Sequence, residues 1–292
     1  MAEFTGLHLH EDLPLFREAI NFTVARTGFN ARLIERDYFC TLLLVYFARY
    51  GGDGLVFKGG TCLAKVHAGF YRLSEDLDFT IPLPITANRS VRRQAVAVIK
   101  NAVDGVANYI SGFAVTGPLK GANNSTQYNG CIRYRSPTSG QYENVLIEIS
   151  VREPLLVPVE DAPAKTLLLD PLNGNAAVSD VPVRCIAMHE ALAEKFRAAM
   201  SRKDAAIRDF FDLDYASQHL GLDPTNPQLV ELVRRKMAVP GNLPVDISPE
   251  RFAFLKRQLD TRLKAVLRDK EFAAFDLRRS FELVVAMAKR VT

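Results

Sequence analysis

The stretch from Lys58 to Pro82, KGGTCLAKVHAGFYRLSEDLDFTIP, constrains the fold more than any other part of the chain. Leu55, Val56 and Phe57 read as a short buried strand that stops at Gly59-Gly60, after which Leu63, Val66, His67 and Phe70 recur at helical spacing. The alternation in Asp76-Leu77-Asp78-Phe79 then predicts a second strand that ends at Pro82. Its period of two sets Asp76 and Asp78 on one face, ~6.5 Å apart along the chain, with Leu77 and Phe79 turned into the core. The unit is therefore strand, tight turn, helix, strand. Glycines at the turn let the backbone approach a ligand closely, and free N–H groups at a helix start favour an anion such as a phosphate. Thr61 is placed to cap that helix or to offer its hydroxyl to the phosphate. Two carboxylates on one face repel each other unless a cation sits between them. Oxygen donors at this spacing suit magnesium, which takes a couple of carboxylates and fills its shell with water and nucleotide phosphates.

Around this unit the texture of the chain changes twice. Leu13 to Tyr50 reads as two helices divided at Thr27-Gly28-Phe29-Asn30, where Gly ends one helix and Asn starts the next. From Leu55 to about Val183 the reading is α/β, with the runs LVF, DLDFTI and VLIEISV as strands and Arg89 to Ser111 as a helix. From Ala187 onward only helical periodicity remains. The expected architecture is thus α+β or α/β, a mixed sheet with N-terminal helices over 1–186, followed by an all-α domain over 187–292. A hydrophobic share of 48% and a charged share of 24% exclude a disordered chain. No apolar run approaches the ~20 residues that cross a bilayer, and the acidic lead of MAEFTGLHLHED lacks signal-peptide character, so a cytoplasmic protein is expected. Cys40, Cys62, Cys131 and Cys185 are far apart with no CxxC pair and read as buried free thiols rather than a disulfide or zinc framework.

Charge is distributed unevenly. Residues 191–292 hold 19 Lys and Arg against 14 Asp and Glu, while 1–190 hold 18 against 19. Clusters such as Arg234-Arg235-Lys236, Lys256-Arg257 and Arg278-Arg279 favour an acidic partner, nucleic acid being the commonest.

Two further places carry candidate chemistry. In Glu143-Asn144-Val145-Leu146-Ile147-Glu148-Ile149-Ser150 the carboxylate hemmed by aliphatics is Glu148, a costly position unless paired or metal-bound, with Glu153 as its rival for a third acidic ligand. In the helical part, Lys195 shares a face with Met188, Leu192 and Ala199, where a solvated lysine does not belong. If the helix continues, Arg202 and Asp209 follow Lys195 at heptad intervals on that face. A bend at Ser201-Arg202-Lys203-Asp204 would break the register.

With these residues in view, the sequence resembles the AbiEii-type nucleotidyltransferase toxins of type IV toxin–antitoxin systems, within the DNA polymerase β-like nucleotidyltransferase superfamily. The superfamily pattern of Gly-Gly, short helix and DxD is matched by Gly59, Gly60, Asp76 and Asp78. FKGGT followed by YRLSEDLDF, and a later block from Glu190 to Ala216 with Glu-Lys, a downstream Arg and Arg-Asp-x-x-Asp, carry the narrower resemblance. It implies a nucleotidyltransferase-fold domain and a metal-dependent transfer of NMP from an NTP to an RNA acceptor such as the 3′ end of tRNA, which inhibits growth. It further implies that Lys58, Gly59, Gly60 and Thr61, with Ser74 and Arg202, bind the nucleotide, and that Asp76, Asp78 and Glu148 hold Mg2+, one ion or two. Lys195 then reaches a phosphate, and Asp209 and Asp212 orient it, complete the metal shell or act as base. A cognate antitoxin is the expected partner. Ser74, two residues before Asp76, is a place where an added phosphate or nucleotide would oppose triphosphate binding. Nucleotidylation of a protein side chain and a non-catalytic nucleotide- or RNA-binding module are the two alternative functions.

Overall fold

The computed structural model describes residues 6–292. The chain divides into two compact units, Met1–Leu155 with Val159–Ile186, and Leu156–Pro158 with Ala187–Thr292.

The first unit opens with helices α1 (Leu13–Thr27) and α2 (Ala31–Tyr50). Gly28 ends α1 in the left-handed region at φ 77°, and the Asn30 side chain accepts from Leu33 N to start α2, so the two-helix reading of this segment holds. Strand β1 (Val56–Lys58) runs into helix α3 (Gly59–Cys62), which widens into a π-type turn over Leu63–His67. The helix stops there rather than reaching Phe70, which takes a positive φ of 59°. Strand β2 (Leu77–Thr80) follows, then helices α4 (Arg89–Ala95) and α5 (Ala97–Gly105), so the single helix expected over 89–111 is broken at Val96. Strands β3 (Phe113–Ala122), β4 (Gln127–Arg135), β5 (Tyr142–Ser150), β6 (Glu160–Ala164) and β7 (Val181–Cys185) complete a seven-stranded sheet ordered β3-β4-β5-β2-β1-β7-β6. The sheet is mixed: β2–β5 and β1–β7 are parallel, and the remaining neighbours are antiparallel.

One face of the sheet's centre is apolar. Phe57 and Phe79 are cross-strand partners with ring centroids 5.5 Å apart, and Phe79 meets Phe47 of α2 edge-on at 5.8 Å. Further along α2, Phe39 stacks on Tyr134 of β4 at 3.9 Å. Burying these aromatic rings commits Phe57 and Phe79 to the core, so the residues that alternate with them must face the other way.

The second unit is helical: α6 (Met188–Ser201), α7 (Ile207–His219), α8 (Pro227–Met237), α9 (Pro249–Lys256), α10 (Asp269–Ala274) and α11 (Leu277–Val291). Pro at the first helical position, with Asn226 and Ser248 as side-chain caps, starts α8 and α9. Leu156–Pro158 belongs to this unit because the Glu190 carboxylate accepts from the backbone N–H groups of Leu156 and Val157. Among the described residues no helix is long and apolar enough to cross a membrane.

Candidate active site

The core-facing rings of β1 and β2 dictate what lies on the opposite face. Lys58 is the register partner of Asp78, Asp78 pairs in parallel with Glu148 of β5, and Glu148 pairs with Asn129 of β4. Four strands therefore contribute one row of side chains, Lys58, Asp78, Glu148 and Asn129. Neighbouring strands lie ~4.8 Å apart, which sets Asp78 and Glu148 side by side on one face. Asp76 sits in the bend just before β2, with Leu77 and Phe79 buried at 0% and 3% exposure while the two aspartates stay partly exposed. Glu148 lies on this same partly open face, and its aliphatic neighbours Ile147 and Ile149 point into the core. The burial read for Glu148 from its neighbours is thus replaced by a half-exposed position, because alternation sends them to the other side. Glu153 lies three residues past the end of β5 and is 5% exposed.

The Gly-Gly turn is required by close approach. Gly59 has φ +77°, and a Cβ there would fall 2.2 Å from Oδ2 of Asp78. A Cβ on Gly60 would fall 2.4 Å from Nη2 of Arg72 and 3.2 Å from Oγ of Ser74. The turn therefore touches the DxD carboxylate on one side and the buried Arg72 guanidinium, with Ser74, on the other. Thr61 does not cap α3: it is 2% exposed and its hydroxyl donates to the Asp76 carbonyl, tying the turn to the acidic segment. Lys65, 1% exposed, fixes the following turn to α2 by donating to Asp37 Oδ1 at 2.6 Å and Thr41 Oγ1 at 2.9 Å.

Basic groups border the acidic segment. Arg36 of α2 donates to the Glu75 carbonyl at 2.9 Å and to Glu143 at 3.1 Å, and lies 3.9 Å from Oδ1 of Asp76. Arg32 donates to both Glu143 oxygens, at 2.8 and 2.9 Å, and holds that carboxyl below its usual range. Arg36 was not legible as a site residue, since no spacing pattern distinguishes it from a surface arginine, whereas Arg72 lies in the YRLSEDLDF stretch that carries the resemblance but had no role assigned to it.

In the second unit the bend at Ser201-Arg202-Lys203-Asp204 forms, so Lys195, Arg202 and Asp209 do not share one helix. The chain leaves helical geometry after Ser201 and resumes at Ile207. Two side chains hold this break open. Arg251 donates to the Ala199 and Arg202 carbonyls, both at 2.9 Å, and Gln258 accepts from Ile207 N and donates to the Ala205 carbonyl. The same residues nevertheless meet, through packing of α6 on α7. Lys195 Nζ lies 2.8 Å from Asp209 and 2.8 Å from Asp212, and Arg202 pairs with Asp209 at 3.2 Å. Burial by itself would raise the Asp209 carboxyl, but Lys195 and then Arg202 outweigh it and hold it below its usual range.

The basic clusters are partly spent inside this unit. Lys236 is 0% exposed and bonds Glu190 at 2.6 Å and Glu194 at 3.0 Å, and Arg279 grips Asp214 through two 2.7 Å bonds. Arg235, Lys256, Arg257 and Arg278 remain exposed.

The mixed sheet thus brings the Gly-Gly turn against Asp78, which stands in register with Glu148 on the adjacent strand. A family model described as "Nucleotidyl transferase AbiEii toxin, Type IV TA system" matches residues 43–286, and the chain belongs to this family. It is therefore a nucleotidyltransferase toxin of the type IV class, with a nucleotide as substrate and an antitoxin as partner. JHP933 from Helicobacter pylori is similar in structure over 90% of this chain and 93% of its own, at 17% identity and a TM-score of 0.50, a likeness of fold alone. A second H. pylori structure covers 89% of this chain and 95% of its own, at 17% identity and a TM-score of 0.47. A search of curated proteins finds no match.

Proposed function

We propose that this toxin transfers a nucleoside monophosphate from an NTP to an RNA hydroxyl, with the 3′ end of tRNA as the acceptor. The observation that carries the reading is the register Lys58–Asp78–Glu148 set against the Gly59 turn. The turn offers close backbone approach for the phosphates, and Lys58 beside Asp78 offers a cation. Asp76, Asp78 and Glu148 are partly exposed hard oxygen donors, the last two in register on adjacent strands, and this donor chemistry suits Mg2+. Bound there, magnesium would supply charge neutralisation on the phosphates. The acceptor hydroxyl attacks the α-phosphorus in line while a carboxylate of the row takes its proton, the new P–O bond forms, and the bond to pyrophosphate breaks.

In the second unit Lys195, gripped by Asp209 and Asp212, is the candidate phosphate cation, and the exposed Arg235, Lys256, Arg257 and Arg278 suit a polyanionic acceptor. The test is incubation of the purified chain with each α-labelled NTP, magnesium and either total tRNA or cell protein. Label on RNA, abolished in Asp76→Ala, supports the reading. Label on protein alone replaces the acceptor, and growth inhibition that survives Asp76→Ala overturns the catalytic role.

A further inference from the structure

Cysteines that the sequence scatters are gathered beside the Gly-Gly turn together with a histidine. Cys62 ends α3, His67 ends the wide turn that follows, and Cys185 is the last residue of β7, more than a hundred positions away. One donor atom from each lies within 4.8 Å of the other two. Both cysteines are 0% exposed. The His67 Nε2 lies 2.9 Å from the carbonyl oxygen of Ile186, the residue after Cys185. A carbonyl only accepts, so in the neutral ring the proton is on Nε2 and the lone pair is on Nδ1. Metal-ligating histidines are oriented by the same device, an N–H donated to a backbone carbonyl.

We infer that Cys62, His67 and Cys185 form a zinc site, separate in chemistry from the carboxylate row and independent of the nucleotidyl-transfer reading. Two sulfurs and an imidazole are soft and borderline donors that select zinc over magnesium, whereas the oxygen-only row selects the reverse. Tetrahedral zinc, with Zn–S of ~2.3 Å and Zn–N of ~2.0 Å, holds its donors roughly 3.5–3.8 Å apart, so donors already within 4.8 Å have about 1 Å to close. Binding converts two thiols into thiolates and releases two protons. Two thiolates neutralise one Zn2+, so the complex carries no net charge into a buried place, and water takes the fourth position. Cys185 pairs in register with Phe57 of β1, and Cys62 lies two residues past Gly60. Zinc would therefore clamp the end of the Gly-Gly helix to the β1–β7 pair.

The test uses the full chain, isolated without chelator, with zinc measured by plasma mass spectrometry and with cobalt(II) added to the metal-stripped protein. The expected result is about one zinc per chain, with cobalt giving thiolate-to-metal charge-transfer bands and the intense visible bands of a tetrahedral site. Cys62→Ser and Cys185→Ser should each lose both signals, while Cys131→Ser and Asp76→Ala keep them. Should the serine variants fold poorly, His67→Asn is read by competition with a chromophoric chelator, where zinc affinity should fall at least tenfold. Wild-type chain that takes up no zinc from an equimolar solution and shows no cobalt–thiolate band overturns the site. So does intact mass showing Cys62 and Cys185 joined as a disulfide in the freshly isolated chain.

Discussion

Replacing Gly59 with alanine isolates the contact on which the proposed catalytic geometry depends. The backbone there has φ +77°, a region that costs an L-residue roughly 1–2 kcal/mol. The new Cβ would stand 2.2 Å from Asp78 Oδ2, and ordinary contact begins at 3.4 Å, so the carboxylate must retreat by 3.4 − 2.2 = 1.2 Å. Overpacking of this kind costs a further ~1–3 kcal/mol. The sum, about 2–5 kcal/mol, lowers the melting temperature by roughly 5–15 °C for a unit of this size. On the catalytic role proposed for Asp78, displacing its carboxylate by about 1 Å should lower nucleotide transfer on the order of 10²-fold. Gly140→Ala is the control: its φ is +73°, but nothing lies within 4 Å of its Cβ position. That variant should lose only the ~1–2 kcal/mol of backbone strain and keep its transfer rate. The assay is α-labelled NTP transfer below both melting transitions, beside thermal unfolding of each protein. A folded Gly59→Ala enzyme with a rate close to wild type would falsify the argument that Asp78 must sit against this turn.

Three other outcomes follow from the same geometry. Glu148→Gln should reduce transfer by ~10² or more with little change in melting temperature, because it removes a charge from the row. Glu153→Gln should keep its rate, and the reverse pattern would make Glu153 the third carboxylate. Lys195→Ala leaves Asp212, 0% exposed, without its 2.8 Å ammonium partner and should cost ~3–5 kcal/mol in denaturant unfolding; a loss below ~1 kcal/mol refutes the buried pairing. The Asp209 carboxyl is held below its unfolded value, so its contribution is present above the unfolded pKa of ~3.8 and drains away as pH falls through the lower folded value. Stability of the wild type measured from pH 6 downward should therefore drop more steeply below about pH 4 than that of Asp209→Asn, and equal slopes would remove Lys195 and Arg202 as its stabilisers.

Much of the chain was legible because the signals were local. Gly28 in the left-handed region and the Asn30 cap divide the first two helices where the residues said they should. The alternation of Asp76, Leu77, Asp78 and Phe79 gave the right faces, since one strand's pleat depends on nothing outside it. The same locality explains the failures. A heptad links Lys195 and Asp209 only if one helix continues; the bend that the residues also allowed separates them, and two helices side by side make the contact. Lys236 reads as part of an exposed basic cluster, yet its charge ends between Glu190 and Glu194. Thr61 reads as a cap or phosphate donor, yet its hydroxyl goes to the Asp76 carbonyl.

Strands β3, β4, β6 and β7 carried no reading of their own. By itself, then, the order of residues determined the first two helices, the strands β1, β2 and β5, where the turn with two glycines falls, and which carboxylates alternate with buried rings. These follow from backbone sterics and the periods 2 and 3.6, which act over a few residues. Only tertiary pairing decided that Glu148 stands beside Asp78, that Arg36 and Arg72 border the turn, and that Cys185 comes to Cys62 and His67. Strand register between segments seventy or more residues apart is set by burial of both inner faces at once, and no short window of sequence contains both partners.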